Sequence, residues 1–192
     1  MQSALFDFIS QYITLSPPEK EAMIDLDLFK TASKGSILLQ EGQISKQSYF
    51  VLKGCIRVYY VIEGEEKTTA FYTEMQGVTP NCVLTGSASE YYVACVEDSI
   101  LAVSDPSMED EIFEKFPKFE TMCRLLSDEL LAEQKVSLDS FKTSSPEQRY
   151  LKMLAKRPDL IRRVPQYQLA SYLGITPQSL SRLRGRLTEK KK

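Results

Sequence analysis

Four residues near the carboxyl end, Gln178, Ser181, Arg182 and Gly185, would share one side of a helix. At 100° per residue Leu180, Leu183 and Leu187 cluster within about 60° of one another and would face a core, which turns those four outward. Such an edge suits a groove in duplex DNA. Gln178 can pair bidentately with adenine and Arg182 with guanine, Ser181 is short enough for either, and Gly185 removes bulk. Arg184 and Arg186 project to the flanks, where phosphates would lie, joined by Gln166 and by Lys190, Lys191 and Lys192.

Other chemistries lack their residues. The chain has no histidine, which removes the usual general base, the Ser/His and Cys/His nucleophile pairs and every imidazole-based zinc pattern. Cys55, Cys82, Cys95 and Cys123 are 27, 13 and 28 residues apart, with no CxxC to close on a metal ion. They read as reduced core cysteines, and Cys123-Arg124 is the one local candidate for a thiol activated by a neighbouring cation. We expect no metal, no cofactor and no enzyme; a cupin-like metal roll in particular would need histidines.

Charge divides the chain in two. Residues 1–141 hold 11 Lys+Arg against 23 Asp+Glu, whereas residues 142–192 hold 13 against Glu147, Asp159 and Glu189. The basic segment suits a polyanion, which the acidic remainder would repel. Docking of that segment on the acidic body, or on a membrane surface, fits the same composition, so a motif must decide. No uninterrupted apolar run exceeds Tyr91 to Val96, far short of the roughly 20 residues that cross a bilayer, and Asp7 stands where a signal peptide would be basic. A cytoplasmic protein without membrane contact is expected.

The elements that would carry the edge can be read from periodicity. Residues 1–30 are helical in pattern, with Leu5, Phe8, Ile9 and Tyr12 at helical spacing and Ser16-Pro17-Pro18-Glu19 opening a second segment. From Gly35 to Val103 come short β-rich runs: Ile37 to Gln40, Tyr49 to Leu52, Cys55 to Ile62, Thr68 to Tyr72, Tyr91 to Val96 and Ile100 to Val103. Their close spacing and glycine turns argue for an antiparallel sandwich or roll within an α+β chain. After Asp105-Pro106 the helical period returns. From Phe116 to Phe141 a stripe of Phe119, Met122, Cys123, Leu126, Leu130 and Leu131 marks a helix of about 24 residues, about 36 Å long. It fits a spine packed on its own domain or a seam against a second copy, and we favour the seam. Ser145-Pro146-Glu147-Gln148 is a capping box that starts a further helix after a hinge at Lys142 to Pro146.

From Val164 to Leu183 the chain has helix-turn-helix grammar. Leu169, Ala170 and Leu173 give the first helix an apolar face with a small residue at the crossing, and Gly174 allows the positive φ of a tight turn. Ile175 plugs the corner, Thr176 caps the second helix and Pro177 suits its first turn, so that helix should run from about Pro177 to Leu187.

On these residues the chain resembles the catabolite-activator and fumarate/nitrate-reductase-regulator (CRP/FNR) family of bacterial transcription regulators. Gly35 to Gly42 and Ser48 to Val58 are similar to the opening strands of the family's cyclic-nucleotide-binding β-roll. Phe116 to Phe141 occupies the place of its dimer helix, and Ser179-Leu180-Ser181-Arg182 falls in register with its base-reading helix. The resemblance implies a jelly-roll sensor domain over residues 1–114, a dimerisation helix over 115–141 and a winged-helix-like helix-turn-helix domain over 142–192. It implies a homodimer bound to a near-palindromic site in double-stranded DNA, with RNA polymerase as a further partner. The seam residues would be Phe119, Met122, Cys123, Leu126 and Leu130; the DNA contacts would be Gln166, Thr176, Gln178, Ser179, Ser181, Arg182, Arg184 and Arg186.

The chain also departs from the family's pattern. Members that bind cyclic nucleotide carry Gly-Glu and then an arginine followed by Ser or Thr; here Val78 follows Gly77 and Glu90 falls where the arginine would stand. A carboxylate facing a phosphate diester reverses the sign of the interaction, so cyclic AMP is not the expected effector. The amino terminus lacks the iron–sulfur cysteines, and a haem cannot find an imidazole. A pocket for an unidentified small molecule would be lined by Asn81, Thr85, Glu90, Tyr91 and Tyr92. Any wing must be short and lie near Pro158 to Val164, because the chain stops at Lys192. The rival reading is a protein-interaction module whose cupin-like roll senses another small ligand while its basic tail docks on a protein partner.

Overall fold

The computed structural model describes residues 2–25 and 28–189. Helices α1 (Gln2–Ile9) and α2 (Pro17–Asp25) open the chain. At the start of α2 the Ser16 N–H and hydroxyl both donate to Glu19 Oε2, at 2.6 and 2.7 Å, and Lys118 pairs with the same oxygen at 2.7 Å.

The strands are β1 (Phe29–Ala32), β2 (Ile37–Leu39), β3 (Ser48–Lys53), β4 (Ile56–Ile62), β5 (Glu65–Tyr72), β6 (Gly77–Val78), β7 (Tyr92–Cys95) and β8 (Ser99–Ser104), with α3 (Asn81–Thr85) after β6. They form two open, antiparallel sheets, ordered β1-β8-β3-β6 and β2-β7-β4-β5. One core joins them: Tyr49, Val51 and Leu101 from the first sheet meet Leu39, Ile56, Val58 and Val93 from the second. The β3–β4 turn needs glycine. Gly54 has φ 105°, and a Cβ there would stand 2.3 Å from Ser99 Oγ.

The six expected strands are all present. β1 overlaps the last two residues of the stretch read as helical, because Phe29 to Ala32 pairs along β8 and that ladder overrides local preference. β6 and α3 are too short to show a period.

Asp105 caps α4 (Pro106–Lys115) by accepting from the N–H groups of Ser107 and Met108. Next come α5 (Lys118–Thr143), α6 (Pro146–Lys156), α7 (Pro158–Arg163), α8 (Gln166–Tyr172) and α9 (Pro177–Glu189). The capping box at Ser145 and Gln148 is present in both directions. Pro158 to Val164, the stretch expected to hold any wing, is instead a helical turn and its cap. Pro158 sits in the first turn, and Leu160 and Val164, four residues apart, are both buried. Among the described residues no helix is long and apolar enough to cross a membrane.

The C-terminal helices rest on the β-roll. Cys55, Phe71 and Val96 belong to the same buried cluster as Tyr150, Met153, Leu160, Leu169, Leu180 and Leu183. Strand alternation explains why: Ile56, Val58, Ala70 and Val93 point into the roll, so Arg57, Tyr59, Phe71 and Tyr92 face out of that sheet toward α8.

Candidate nucleic-acid interface

The α8–α9 corner is built as its sequence dictates. Leu169, Ala170 and Leu173 are buried, and Ala170 has no exposed surface where α9 crosses. Gly174 takes φ 69°. The Gly174 N–H donates to Ser171 O at 2.9 Å and the Ile175 N–H to Ala170 O at 3.0 Å, closing the turn. Ile175 packs on the buried cluster. Thr176 Oγ1 accepts from the Ser179 N–H at 3.2 Å and donates to Ser179 Oγ at 3.0 Å, which caps α9. Leu180 and Leu183 are buried and Leu187 partly so.

The opposite side of α9 faces solvent. Thr176, Gln178, Ser181, Arg182, Gly185 and Arg186 are exposed, with Ser179 half-buried beside them. Ser179, Arg182, Gly185 and Arg186 line a shallow depression of about 510 Å³. A Cβ on Gly185 would meet no atom within 4 Å, so the chain's own packing does not require glycine there. Arg186 has one distant carboxylate partner, Glu147 at 4.0 Å, in an exposed pair of little strength. Arg184 is half-buried on the flank, and Gln166 is exposed at the start of α8. Thus all the sequence-derived contacts except Gln166 share one helix and its cap. Lys190, Lys191 and Lys192 lie outside the described residues.

Sequence reading missed Arg149, which secures the corner. Its Nε and Nη2 donate to Leu173 O at 3.0 and 2.8 Å, and its Nη1 donates to Ser144 O at 2.8 Å. Its guanidinium carbon lies 4.5 Å from the centre of the Phe141 ring, and a Cβ on Gly174 would stand 3.1 Å from Phe141 Cζ. One side chain therefore joins the end of α5, the linker and the turn before α9. The basic composition was the only signal for it.

The five candidate pocket residues do not converge. Tyr91 points into the roll, its hydroxyl accepting the Asn81 N–H at 2.9 Å and its ring 5.5 Å from that of Tyr60. Thr85 hydrogen-bonds back to Asn81 O at 2.9 Å. Tyr92 faces the other way, stacked on Tyr59 at 5.0 Å, with Arg57 over the far ring at 4.0 Å. Glu90 is exposed.

Nor does the α5 stripe lie on one free surface. Phe119 and Met122 are buried against Leu5, Ile9, Met23 and Leu52, and Cys123 and Leu126 pack on the same cluster. Leu130 is exposed, and so is every residue from 127 to 139. Leu125, Leu131, Val136, Leu138 and Phe141 add exposed apolar surface on this helix. Arg124 does not activate Cys123. It pairs with Asp128 at 3.8 Å, while burial pushes the Cys123 thiol up to about 11.

Comparison with known proteins gives this architecture a family. Residues 29–115 match the profile of the cyclic nucleotide-binding domain. Over 169 residues the chain is 28% identical to regulatory protein HlyX of Actinobacillus pleuropneumoniae, covering 82% of this chain and 70% of that one. It is 27% identical over 169 residues to the fumarate and nitrate reduction regulatory protein of Vibrio cholerae, covering 82% and 67%. The fold superposes on that of FixK2 from Bradyrhizobium japonicum with a TM-score of 0.68 over 85% of each chain, at 14% identity, a likeness of fold alone. The matched profile spans the roll, and the helix-turn-helix of α8 and α9 follows it in the chain. The chain is a homologue of the CRP/FNR-family transcription regulators.

Proposed function

We propose that the protein is a sequence-specific regulator of transcription that binds double-stranded DNA as a homodimer. The observation that carries this reading is the two-sidedness of α9: Leu180 and Leu183 are buried, while Gln178, Ser181 and Arg182 are exposed on the other side. Gln178, Ser181 and Arg182 read base edges in the major groove; Gln166, Thr176, Ser179, Arg184 and Arg186 contact phosphates and fix register. Residues 1–114 act as the roll, 115–141 as the dimerisation helix and 142–192 as the DNA-binding module.

Dimerisation is supported by α5 itself. Its first half is a spine on the roll and its second half stands in water, with Leu130, Leu131, Val136 and Leu138 uncovered. A helix in this condition draws its stability from tertiary packing that one chain does not supply, and a second copy supplies it. Two α9 helices related by a two-fold axis enter successive major grooves about 34 Å apart.

Cyclic nucleotide is not the effector. Val78 is a strand residue of β6, Glu90 is an exposed carboxylate, and the Tyr91 hydroxyl holds the amide that opens α3. The protein acts in the cytoplasm, with RNA polymerase as a partner at its promoters.

Selection of bound fragments from random duplex DNA tests the proposal. Enrichment of a near-palindromic site with half-sites one helical turn apart supports it. Bound fragments no different from the input library contradict it.

A further inference from the structure

The module that carries α9 is tied to the roll by polar contacts from α7 and α8. β5 is an edge strand, so one side of its backbone lacks a strand partner. Ser171 of α8 answers two of those groups: its hydroxyl accepts the Thr68 N–H at 2.9 Å and donates to Glu66 O at 3.0 Å. Beside it the Phe71 and Tyr172 rings meet edge to face at 5.3 Å.

At the end of α7, Arg163 reaches a pair of carboxylates on the roll. Its Nη1 and Nη2 donate to the two oxygens of Glu74 at 2.8 Å each, its Nε and Nη2 to Glu97 Oε1 at 3.0 and 2.5 Å, and its Nη2 also to Gly54 O at 2.7 Å. Glu74 in turn accepts the Gly54 N–H at 2.9 Å. Nearby, Arg157 donates to Thr73 Oγ1 at 2.9 Å. A two-pronged guanidinium–carboxylate pair fixes direction as well as distance.

Arg149 already ties the module to the end of α5, but a body held at its hinge can still swivel. Arg163 adds a directional tie to the shared buried cluster and the Ser171 contacts that seat the module on the roll. In a dimer the angle of each module to the body determines how far apart the two α9 helices stand, and a displacement of about 3.4 Å along the duplex is one base pair.

We propose that Arg163 is a positioning residue for DNA recognition: its clamp on Glu74 and Glu97 fixes the direction of α9 and thereby sets the half-site spacing that the dimer accepts. This rests on the reading of α9 as the DNA-contacting helix given above.

The test uses the full-length chain and a library of duplexes in which two copies of the half-site enriched by the wild type are separated by spacers of every length over about two helical turns. Two variants are compared with wild type: Arg163→Met, and Glu74→Gln combined with Glu97→Gln, which changes no residue of the C-terminal helices. In both, base preference within the half-site stays as in wild type, while preference for the best spacer over its neighbour falls about tenfold, equivalent to about 1.4 kcal/mol. If Arg163→Met fails to fold, or the two variants differ, the roll-side variant decides. A folded roll-side variant with the wild-type spacer ratio overturns the clamp and leaves the DNA-binding reading intact. Loss of base preference together with spacing assigns Arg163 a merely structural role and also overturns it. A wild type that enriches no half-site removes both readings together.

Discussion

Replacement of Gly185 separates what α9 does for the fold from what it does for DNA. Glycine in a helix interior is less favourable than alanine by about 0.8–1.0 kcal/mol, and a Cβ on Gly185 meets no atom within 4 Å. Gly185→Ala should therefore stabilise the protein by about 1 kcal/mol, raising Tm by roughly 2–4 °C for a chain of this size. Gly185→Leu should fold equally well, because its side chain extends into the open depression shared with Ser179, Arg182 and Arg186. On the proposed reading that depression faces the groove. Crowding a well-packed contact costs about 1–3 kcal/mol, so Gly185→Leu should lower affinity for the selected duplex by roughly ten- to a hundredfold. Thermal unfolding followed by circular dichroism reads the first effect, and fluorescence anisotropy with labelled duplex reads the second. A Gly185→Leu protein that is folded and binds as tightly as wild type would refute the placement of this edge against DNA.

Acid should loosen the clamp only at low pH. Burial alone would raise the Glu74 carboxyl, but hydrogen bonds from Arg163 and the Gly54 N–H overcome it and hold the group at about 2. Its contribution is thus complete above the ordinary carboxylate value of 4.5 and is lost as pH falls toward about 2. The chain has no histidine, so unfolding midpoints should be flat between about pH 5 and 8; a marked fall within that window would contradict the assignment. The thiols should be inert in the native state. Burial pushes Cys55 up to about 12 and Cys123 up to about 11, so at neutral pH labelling of the buried Cys55 should proceed no faster than unfolding, and the half-buried Cys123 should react far more slowly than an open thiol. Rapid modification of Cys123 alone would reopen a redox role. Introducing charge on the uncovered half of α5, as Leu131→Glu with Leu138→Glu, should shift the protein from dimer to monomer in sedimentation while the monomer's β-sheet spectrum is retained.

The α9 edge was legible because everything that builds it is local. A cap, a turn glycine and three leucines at helical spacing define which side is buried, with no need of distant partners. The roll was legible as a set of strands for the same reason, since alternation and glycine turns act within each run. What escaped was non-local. Ser171 pairs with a strand 103 and 105 residues away, and Arg163 with a glutamate 89 residues away; neither contact has a signature in spacing. The stripe on α5 had the right period, but periodicity does not say that α1 covers Phe119 and Met122 while Leu130 stays uncovered. One miss was avoidable. Tyr91 and Tyr92 are adjacent in an extended run, and adjacent strand residues face opposite sides, so the two could not line one pocket.

The most direct test of the central claim is Arg182→Ala measured against every single-base variant of the selected half-site. If Arg182 pairs with one base, the substitution costs about 1–3 kcal/mol on the preferred site and nearly nothing on sites altered at that position, which flattens preference there and nowhere else. An equal loss of affinity on all the duplexes would mean that the arginine acts only as a charge, and that α9 does not read sequence.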